Sequence, residues 1–239
     1  MQNKSKSPFK IAFSKFIHNK IAMLSVIFLL IITIVSIIAP LIAPFPVNQQ
    51  DLLNIKGEMT AQNILGTDSG GRDNFSRLLY AGRISLSIGI TSTIGMLLIG
   101  ITVGVISGYF GGIARLVRGK VLQEKENEYF LAAKSIGTPT YKIILKHLLP
   151  NILSVVIVQA TLLFAGMIVV ESGLSFLGFG ISKAIPSWGN MLSDAQEGDV
   201  ISGKPWIWMP PAIMITLTIL SINFVGEGIK DAFNPRGRR

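Results

Sequence analysis

Cysteine is absent from this chain of 239 residues, and histidine occurs only twice, as His18 and His147. The lack of thiols excludes a disulfide scaffold and any thiolate metal site. The two histidines lie far apart in basic surroundings, so we expect no metal centre. The P-loop pattern GxxxxGK[ST] is missing too, so the chain is not expected to bind and hydrolyse ATP by that route. We therefore predict no catalytic residues and no cofactor bound by the chain itself.

Charge is also scarce. Only 15% of the residues are charged, whereas soluble domains carry about a quarter. Hydrophobic residues make up 49%, and the mean hydropathy is +0.54. These values indicate an integral membrane protein.

Four apolar runs define the predicted architecture. The first has 23 residues without a charge, which is enough to cross ~30 Å of hydrocarbon and too long for a signal-peptide core. The predicted fold class is therefore all-α, a polytopic bundle of four membrane spans. In chain order we predict a basic leader (1–20), a first span (21–43), an outer loop (44–83), a second span (84–110), an inner loop (111–150), a third span (151–181), an outer loop (182–206), a fourth span (207–226) and a tail (227–239).

The distribution of positive charge predicts the orientation. With the leader inside, the inner segments hold sixteen Lys and Arg residues and the outer loops hold six. This asymmetry follows the positive-inside rule, so both termini are predicted to be cytoplasmic. It also accounts for the net charge of +9 without a nucleic acid partner.

The inner loop contains a predicted helix-turn-helix. Ala132 and Ala133 lie on a helix expected to end at Gly137, since glycine readily adopts a positive φ. Thr138 is the predicted cap of a second helix, and Pro139 its first residue. The apolar face predicted for that helix (Tyr141, Ile144, Leu145, Leu148) requires a partner, such as a groove on another protein.

Three further features are candidates for function. In the first outer loop, Asp68, Gly71, Arg72 and Asp73 predict a turn held by side-chain-to-backbone bonds and an Asp–Arg pair. Within the spans, Glu171 is expected near the outer end, as a gating or structural residue. Asn223 is expected to make an interhelical hydrogen bond. Trp188, Trp206 and Trp208 suit the membrane interface.

Two stretches resemble a known family. The pattern of Ala132-Ala133, Gly137 and Leu149-Pro150 is similar to the "EAA loop" of ABC-importer permeases, although Leu131 replaces the glutamate that names it. Residues 65–85, LGTDSGGRDNFSRLLYAGRIS, closely resemble a segment of the "C"-type permease of oligopeptide, dipeptide and nickel importers. We call these residues the signature segment. That family also has a glutamate followed by the sequence GLSFLG, and Glu171 is the corresponding glutamate in this chain.

The resemblance implies a bacterial inner-membrane permease for peptides or nickel. Its partners would be a second permease, two cytoplasmic ATPases that bind the ATP, and an extracytoplasmic substrate-binding protein. The inner loop would be the coupling helix that docks on an ATPase. The residues that the resemblance assigns to this contact are Ala132, Ala133, Lys134, Gly137, Thr138, Pro139, Tyr141 and Lys142.

The family has six spans, and this sequence predicts four. No apolar run long enough to cross the membrane lies between Gly112 and Asn127, so roughly fifty residues are predicted to be missing at the Gly112–Ile113 junction. The chain could therefore be a transport-defective remnant that still inserts. An unrelated four-span channel is a third possibility, ranked last because family-like segments occur in the correct order.

Overall fold

The computed structural model describes residues 8–107, 119, 121–123, 125–143 and 149–233. This part of the chain is helical and contains no strand, only an isolated bridge between Thr67 and Asp73. The named elements are α1 (Pro8–His18), α2 (Lys20–Ile37), α3 (Ala39–Ile42), α4 (Asn74–Ser107), α5 (Glu128–Ser135), α6 (Thr140–Ile143), α7 (Leu149–Phe176), α8 (Trp188–Leu192), a 3-10 helix (Ser193–Gln196), α9 (Gly198–Gly203) and α10 (Pro205–Phe233).

Four of the described helices are long and apolar enough to cross a membrane. Their candidate spans are Lys20–Ile37, Asn74–Ile99, Val155–Phe176 and Pro205–Phe233, with mean hydropathies of 2.6, 1.5, 2.1 and 1.7. Large apolar side chains on them are exposed, such as Leu24 at 69% and Leu98 at 61%. Such surfaces suit lipid or a partner subunit. The predicted all-α, four-span class is confirmed.

The second long helix begins earlier than predicted. We placed residues 74–83 in an outer loop, but α4 already starts at Asn74. Asp73 caps it, because its Oδ2 accepts a hydrogen bond from the backbone N–H of Ser76 at 2.7 Å. The first turns of this helix are polar, and hydropathy alone does not detect them.

The other long helices also differ at their ends. α7 stops at Phe176, before the predicted boundary at 181, because Gly178 adopts a φ of +85° and closes a Schellman cap. In that cap the N–H of Phe179 donates to the carbonyl of Leu174 at 2.9 Å. α10 continues to Phe233 through part of the predicted tail.

The chain divides into two compact units. One comprises residues 1–23, 93–163 and 223–239, and the other comprises 24–92 and 164–222. In the first unit helices approach closely at glycines: a Cβ on Gly226 would lie 2.3 Å from the Oγ1 of Thr161. The second unit contains the signature segment and two hydrophobic clusters. One is formed by Ile32, Ala81, Leu86, Trp188 and Met191, and the other by Ala165, Ile168 and Ile222.

Candidate functional site

Asp68 is the centre of the turn in the signature segment. Its Oδ1 accepts hydrogen bonds from the backbone N–H groups of Gly70 (2.8 Å) and Arg72 (2.9 Å). Its Oδ2 accepts one from Arg72 Nε at 2.8 Å, and the Asp68 side chain is only 4% exposed. The structure thus contains the Asp–Arg pair and the side-chain-to-backbone bonds that the sequence predicts.

Gly71 and Asp73 anchor the two sides of this turn. Gly71 has a φ of +72°, and a Cβ on it would lie 2.1 Å from the carbonyl oxygen of Asp51, so no other residue fits without rearrangement. Asp73 accepts from Asn63 Nδ2 at 2.9 Å through its Oδ1, while its Oδ2 caps α4. These two residues therefore shape the backbone and need no ligand to account for them.

Arg77 is a functional candidate that the sequence analysis missed. Its side chain is 2% exposed, and its Nε lies 3.2 Å from Asp68 Oδ2 without a well-aligned hydrogen bond, so the contact is an ion pair. Its Nη2 donates to the carbonyl of Lys183 at 2.8 Å, and Arg72 Nη1 donates to the same oxygen at 3.0 Å. Two guanidinium groups thus tie the signature segment to the second loop, more than 100 residues away.

Further ion pairs lie within the second loop and between the two loops. Within the second loop, Lys183 Nζ pairs with the buried carboxylate of Asp194 at 2.8 Å. Lys56 Nζ lies 2.8 Å from Asp199 and 2.5 Å from Glu197. Hydrogen bonds to Asp199 and then Glu197 raise the pKa of Lys56, and the hydrogen bond from Lys56 lowers the pKa of each carboxylate. All three groups are therefore charged through the neutral range.

Glu171 is buried near the end of α7 and binds two hydroxyl groups. Its Oε1 accepts from Ser175 Oγ at 2.9 Å and from Ser187 Oγ at 2.6 Å. Ser187 is the N-cap of α8, where it forms a capping box with Asn190. Glu171 therefore holds the start of α8 against α7.

The contact between Glu171 and Gly189 gives the first prediction. A methyl group on Gly189 would lie 2.6 Å from Ser172 Cα and 3.1 Å from both carboxylate oxygens of Glu171, so α8 would have to move. We expect Gly189→Ala to destabilise the protein by about 1–3 kcal/mol, measured by thermal unfolding in detergent. Gly173→Ala is the matched control, since a Cβ there meets nothing within 4 Å. Equal stability of the two variants would contradict this packing.

Trp188 links α8 to α4. Its backbone N–H donates to Ser85 Oγ at 3.1 Å, and its Nε1 donates to the carbonyl of Leu78 at 3.3 Å. The residue is fully buried within the protein, and its position relative to the membrane interface stays a prediction. Trp206 donates its Nε1 proton to the carbonyl of Gly57 at 3.1 Å. The indole rings of both residues serve contacts within the protein.

The predicted coupling loop forms a helix, a turn and a short second helix. α5 ends in a turn at Gly137, which has a φ of +77°. The N–H of Thr138 donates to the carbonyl of Ala133 at 3.1 Å, as in a Schellman cap. Apart from the chain neighbours of Gly137, no atom in the described part of the structure lies within 4 Å of a Cβ placed on it, so the backbone angle is what requires glycine there.

The second helix of this loop starts one residue later than predicted. α6 begins at Thr140, and the carbonyl of Pro139 accepts from the N–H groups of Lys142 (2.9 Å) and Ile143 (3.3 Å). Pro139 therefore takes the cap position that we assigned to Thr138, because its ring fixes φ but leaves its carbonyl free. Residues 144–148 lie outside the described residues, as do the side chains of Lys134 and Tyr141.

The turn exposes apolar side chains that the sequence analysis did not select. Ile136 is 83% exposed and Leu131 is 54% exposed, whereas Ile143 is 2% exposed. Lys142 and Ala132 are exposed as well, and Ala133 is half-buried. An apolar residue just before a glycine turn is a sequence signal that would have indicated Ile136.

Asn223 does not form the contact predicted for it. It is half-buried on α10 and belongs to the other compact unit from Glu171. Among the described residues, no hydrogen bond of its side chain to another helix is found. The neighbouring Ile222 and Gly226 are buried, so packing dominates this part of α10.

Comparison with known proteins identifies the family. Residues 10–239 match the family described as binding-protein-dependent transport system inner membrane component. The chain belongs to this family. It is therefore a transport permease subunit rather than an enzyme, it resides in the inner membrane, and the ABC systems of this family include ATPase and substrate-binding partners.

Three relatives show how far the similarity extends. The dipeptide transport system permease protein of Bacillus subtilis is 35% identical over 268 positions, which cover 92% of this chain and 83% of that protein. The oligopeptide transport system permease protein of Haemophilus influenzae is 34% identical over 287 positions, which cover 100% of this chain and 92% of that protein. The oligopeptide transport system permease protein of Escherichia coli strain K12 is 31% identical over 275 positions, which cover 94% of this chain and 90% of that protein. These values identify the C-type permease group that the signature segment resembles.

The alignments also contain positions of the relatives that have no counterpart in this chain. An alignment of 287 positions that takes in all 239 residues leaves at least 48 positions of the Haemophilus protein without a counterpart. This agrees in size with the roughly fifty residues predicted to be missing. The predicted junction at Gly112–Ile113 lies outside the described residues, so its position stays a prediction.

Proposed function

We propose that the chain is the C-type permease subunit of an ATP-driven peptide importer. The three relatives described above are named as dipeptide or oligopeptide permeases, which favours a peptide over nickel as the substrate. The subunit would pair with a second permease and two ATPases, which bind the ATP, and both of its termini would lie in the cytoplasm. The observation that carries this proposal is the match to residues 10–239.

The geometry of the coupling loop supports its proposed role as the ATPase contact. The Schellman cap at Gly137 holds Ile136 outward at 83% exposure, with Leu131 at 54% on the preceding helix. Exposed apolar side chains on a short, polar helix-turn-helix suit a groove on a partner. ATP-driven movement of that partner would shift the loop and switch the pore between outward and inward access.

The second candidate is a remnant that inserts but does not transport. The gap of at least 48 positions favours it, since two spans of roughly 20 residues and their connections fit within that length. The loss of these spans would remove part of the wall of a translocation pathway. The coupling loop would survive such a loss unchanged.

Copurification with the partner subunits tests both candidates. The tagged chain is coexpressed with the neighbouring permease and ATPases, and the extracted complex is assayed for subunit content and for ATP turnover stimulated by the substrate-binding protein. A complete complex with stimulated turnover is expected for an importer. Bound ATPase without stimulation would identify a remnant, and absence of ATPase would contradict the importer and the proposed role of the coupling loop.

A further inference from the structure

A polar cavity of ≈260 Å³ lies beside the end of α7 in the second compact unit. Pockets that hold drug-sized ligands measure about 300–1,000 Å³, so this cavity admits one end of an extended peptide rather than a whole one. Its walls come from the last turn of α7, the loop that follows, and the region of α8 and the 3-10 helix. The lining residues that matter here are Ser175, Phe176, Gly180, Lys183, Asn190 and Ser193.

Lys183 makes the lining of the cavity suitable for an anion. Lys183 is 53% exposed, and it is the cation among the lining residues. Its partner Asp194 is 5% exposed, so the ammonium group rather than the carboxylate is accessible. Within the described part of the chain, no backbone N–H from Gly180 to Lys183 donates to a protein acceptor, so these groups are free to donate to a ligand.

Ser175 makes the lining suitable for a hydrogen-bond donor as well. Ser175 Oγ gives its proton to Glu171 Oε1, so towards any ligand it can only accept a hydrogen bond. The negative charge of Glu171 lies behind it, buried away from solvent. A cation and a hydrogen-bond acceptor in the same lining match a free peptide, whose terminal carboxylate is preceded by N–H groups.

We propose that this cavity binds the carboxyl-terminal end of a transported peptide, with the carboxylate on the Lys183 ammonium group and peptide N–H groups towards Ser175. Phe176, 36% exposed, supplies an apolar wall for the terminal side chain. The inference rests on the proposed function, because it takes the substrate to be a peptide. It adds a site on the permease that selects a free carboxyl terminus.

Binding of Ala-Ala and of Ala-Ala amide to the full chain in lipid nanodiscs tests this inference, measured by saturation-transfer NMR. We expect the natural chain to prefer the free carboxylate by about tenfold, as for one hydrogen bond to a charged group. Lys183→Gln should remove this preference and Lys183→Arg should restore most of it. Lys204→Gln is the control, because Lys204 lies outside the lining of the cavity and should leave the preference unchanged.

The variant Asp194→Asn distinguishes binding of the peptide carboxylate by Lys183 from a purely structural role of Lys183. If Lys183 only pairs with Asp194, this variant should lose as much binding as Lys183→Gln. If Lys183 binds the carboxylate, freeing it from Asp194 should keep or strengthen the preference. Equal binding of the two peptides, no binding, or equal losses in the two variants would overturn the proposal. Assembly and ATP turnover, measured on the same variants, show separately whether the proposed importer function fails.

Discussion

Replacement of Gly137 by valine is expected to abolish copurification of the ATPase while leaving membrane insertion intact. Gly137 has a φ of +77°, and a left-handed backbone costs an L-residue about 1–2 kcal/mol, more when the side chain is β-branched. The bond from Thr138 to Ala133 would be lost with that angle, and Ile136 would no longer be held outward. Insertion is measured by membrane fractionation, and docking by pull-down of the ATPase.

Gly137→Asn is the matched control. Asparagine tolerates the left-handed region, and the open space around Gly137 accepts its side chain. The asparagine variant should therefore keep most of the docking that valine loses. Normal docking by the valine variant would contradict the assignment of this loop as the ATPase contact. Loss of ATPase docking in both variants would indicate that any side chain at this position prevents docking, whatever the backbone angle.

The coupling loop shows what local sequence can predict. The glycine turn was predictable because glycine is the residue type that readily adopts a positive φ. The structure has this positive φ at Gly137. The start of the next helix was misplaced by one residue, because both Thr138 and Pro139 are good residues before a helix. Which of them provides the cap depends on hydrogen bonds that composition does not determine.

The membrane spans show a different limit. Long apolar runs were enough to predict four helices, because a helix must satisfy its own backbone in lipid. The beginning of α4 at Asn74 was missed, since its first turns carry Arg77 and other polar residues. A cap by Asp73 was the available signal, and we had attributed that residue to a loop.

Contacts between the two loops could not be predicted from sequence. An Asp–Arg pair within this turn was predictable, because the partners are close in sequence, and the structure shows that Asp68 is the aspartate that pairs with Arg72. The carbonyl of Lys183, which accepts from both arginines, lies more than 100 residues along the chain. Only the packing of α8 between α7 and α4 brings it there, and that packing depends on Glu171 and Trp188.

The largest loss of stability is expected for Asp68→Asn. The asparagine oxygen can still accept from the backbone N–H groups of Gly70 and Arg72, so the turn keeps these two backbone bonds, while the bond from Arg72 Nε to the second carboxylate oxygen is lost. The charge is lost, and Arg77, 2% exposed, is left buried without an anion in contact. Breaking a buried pair in this way costs about 3–5 kcal/mol. For a chain of this size the unfolding temperature should fall by about 10 °C.

Asp51→Asn is the control for this prediction, because Asp51 lies in the same loop, is exposed and likewise accepts from a backbone N–H. Its unfolding temperature should not change measurably. The double variant Asp68→Asn/Arg77→Met tests the cause of the loss. Removal of the unpaired guanidinium should recover part of the stability, although its hydrogen bond to Lys183 is lost as well. If the double variant is less stable than Asp68→Asn by the full cost of Arg77→Met alone, the two residues are not coupled, and the turn must be held mainly by its backbone bonds.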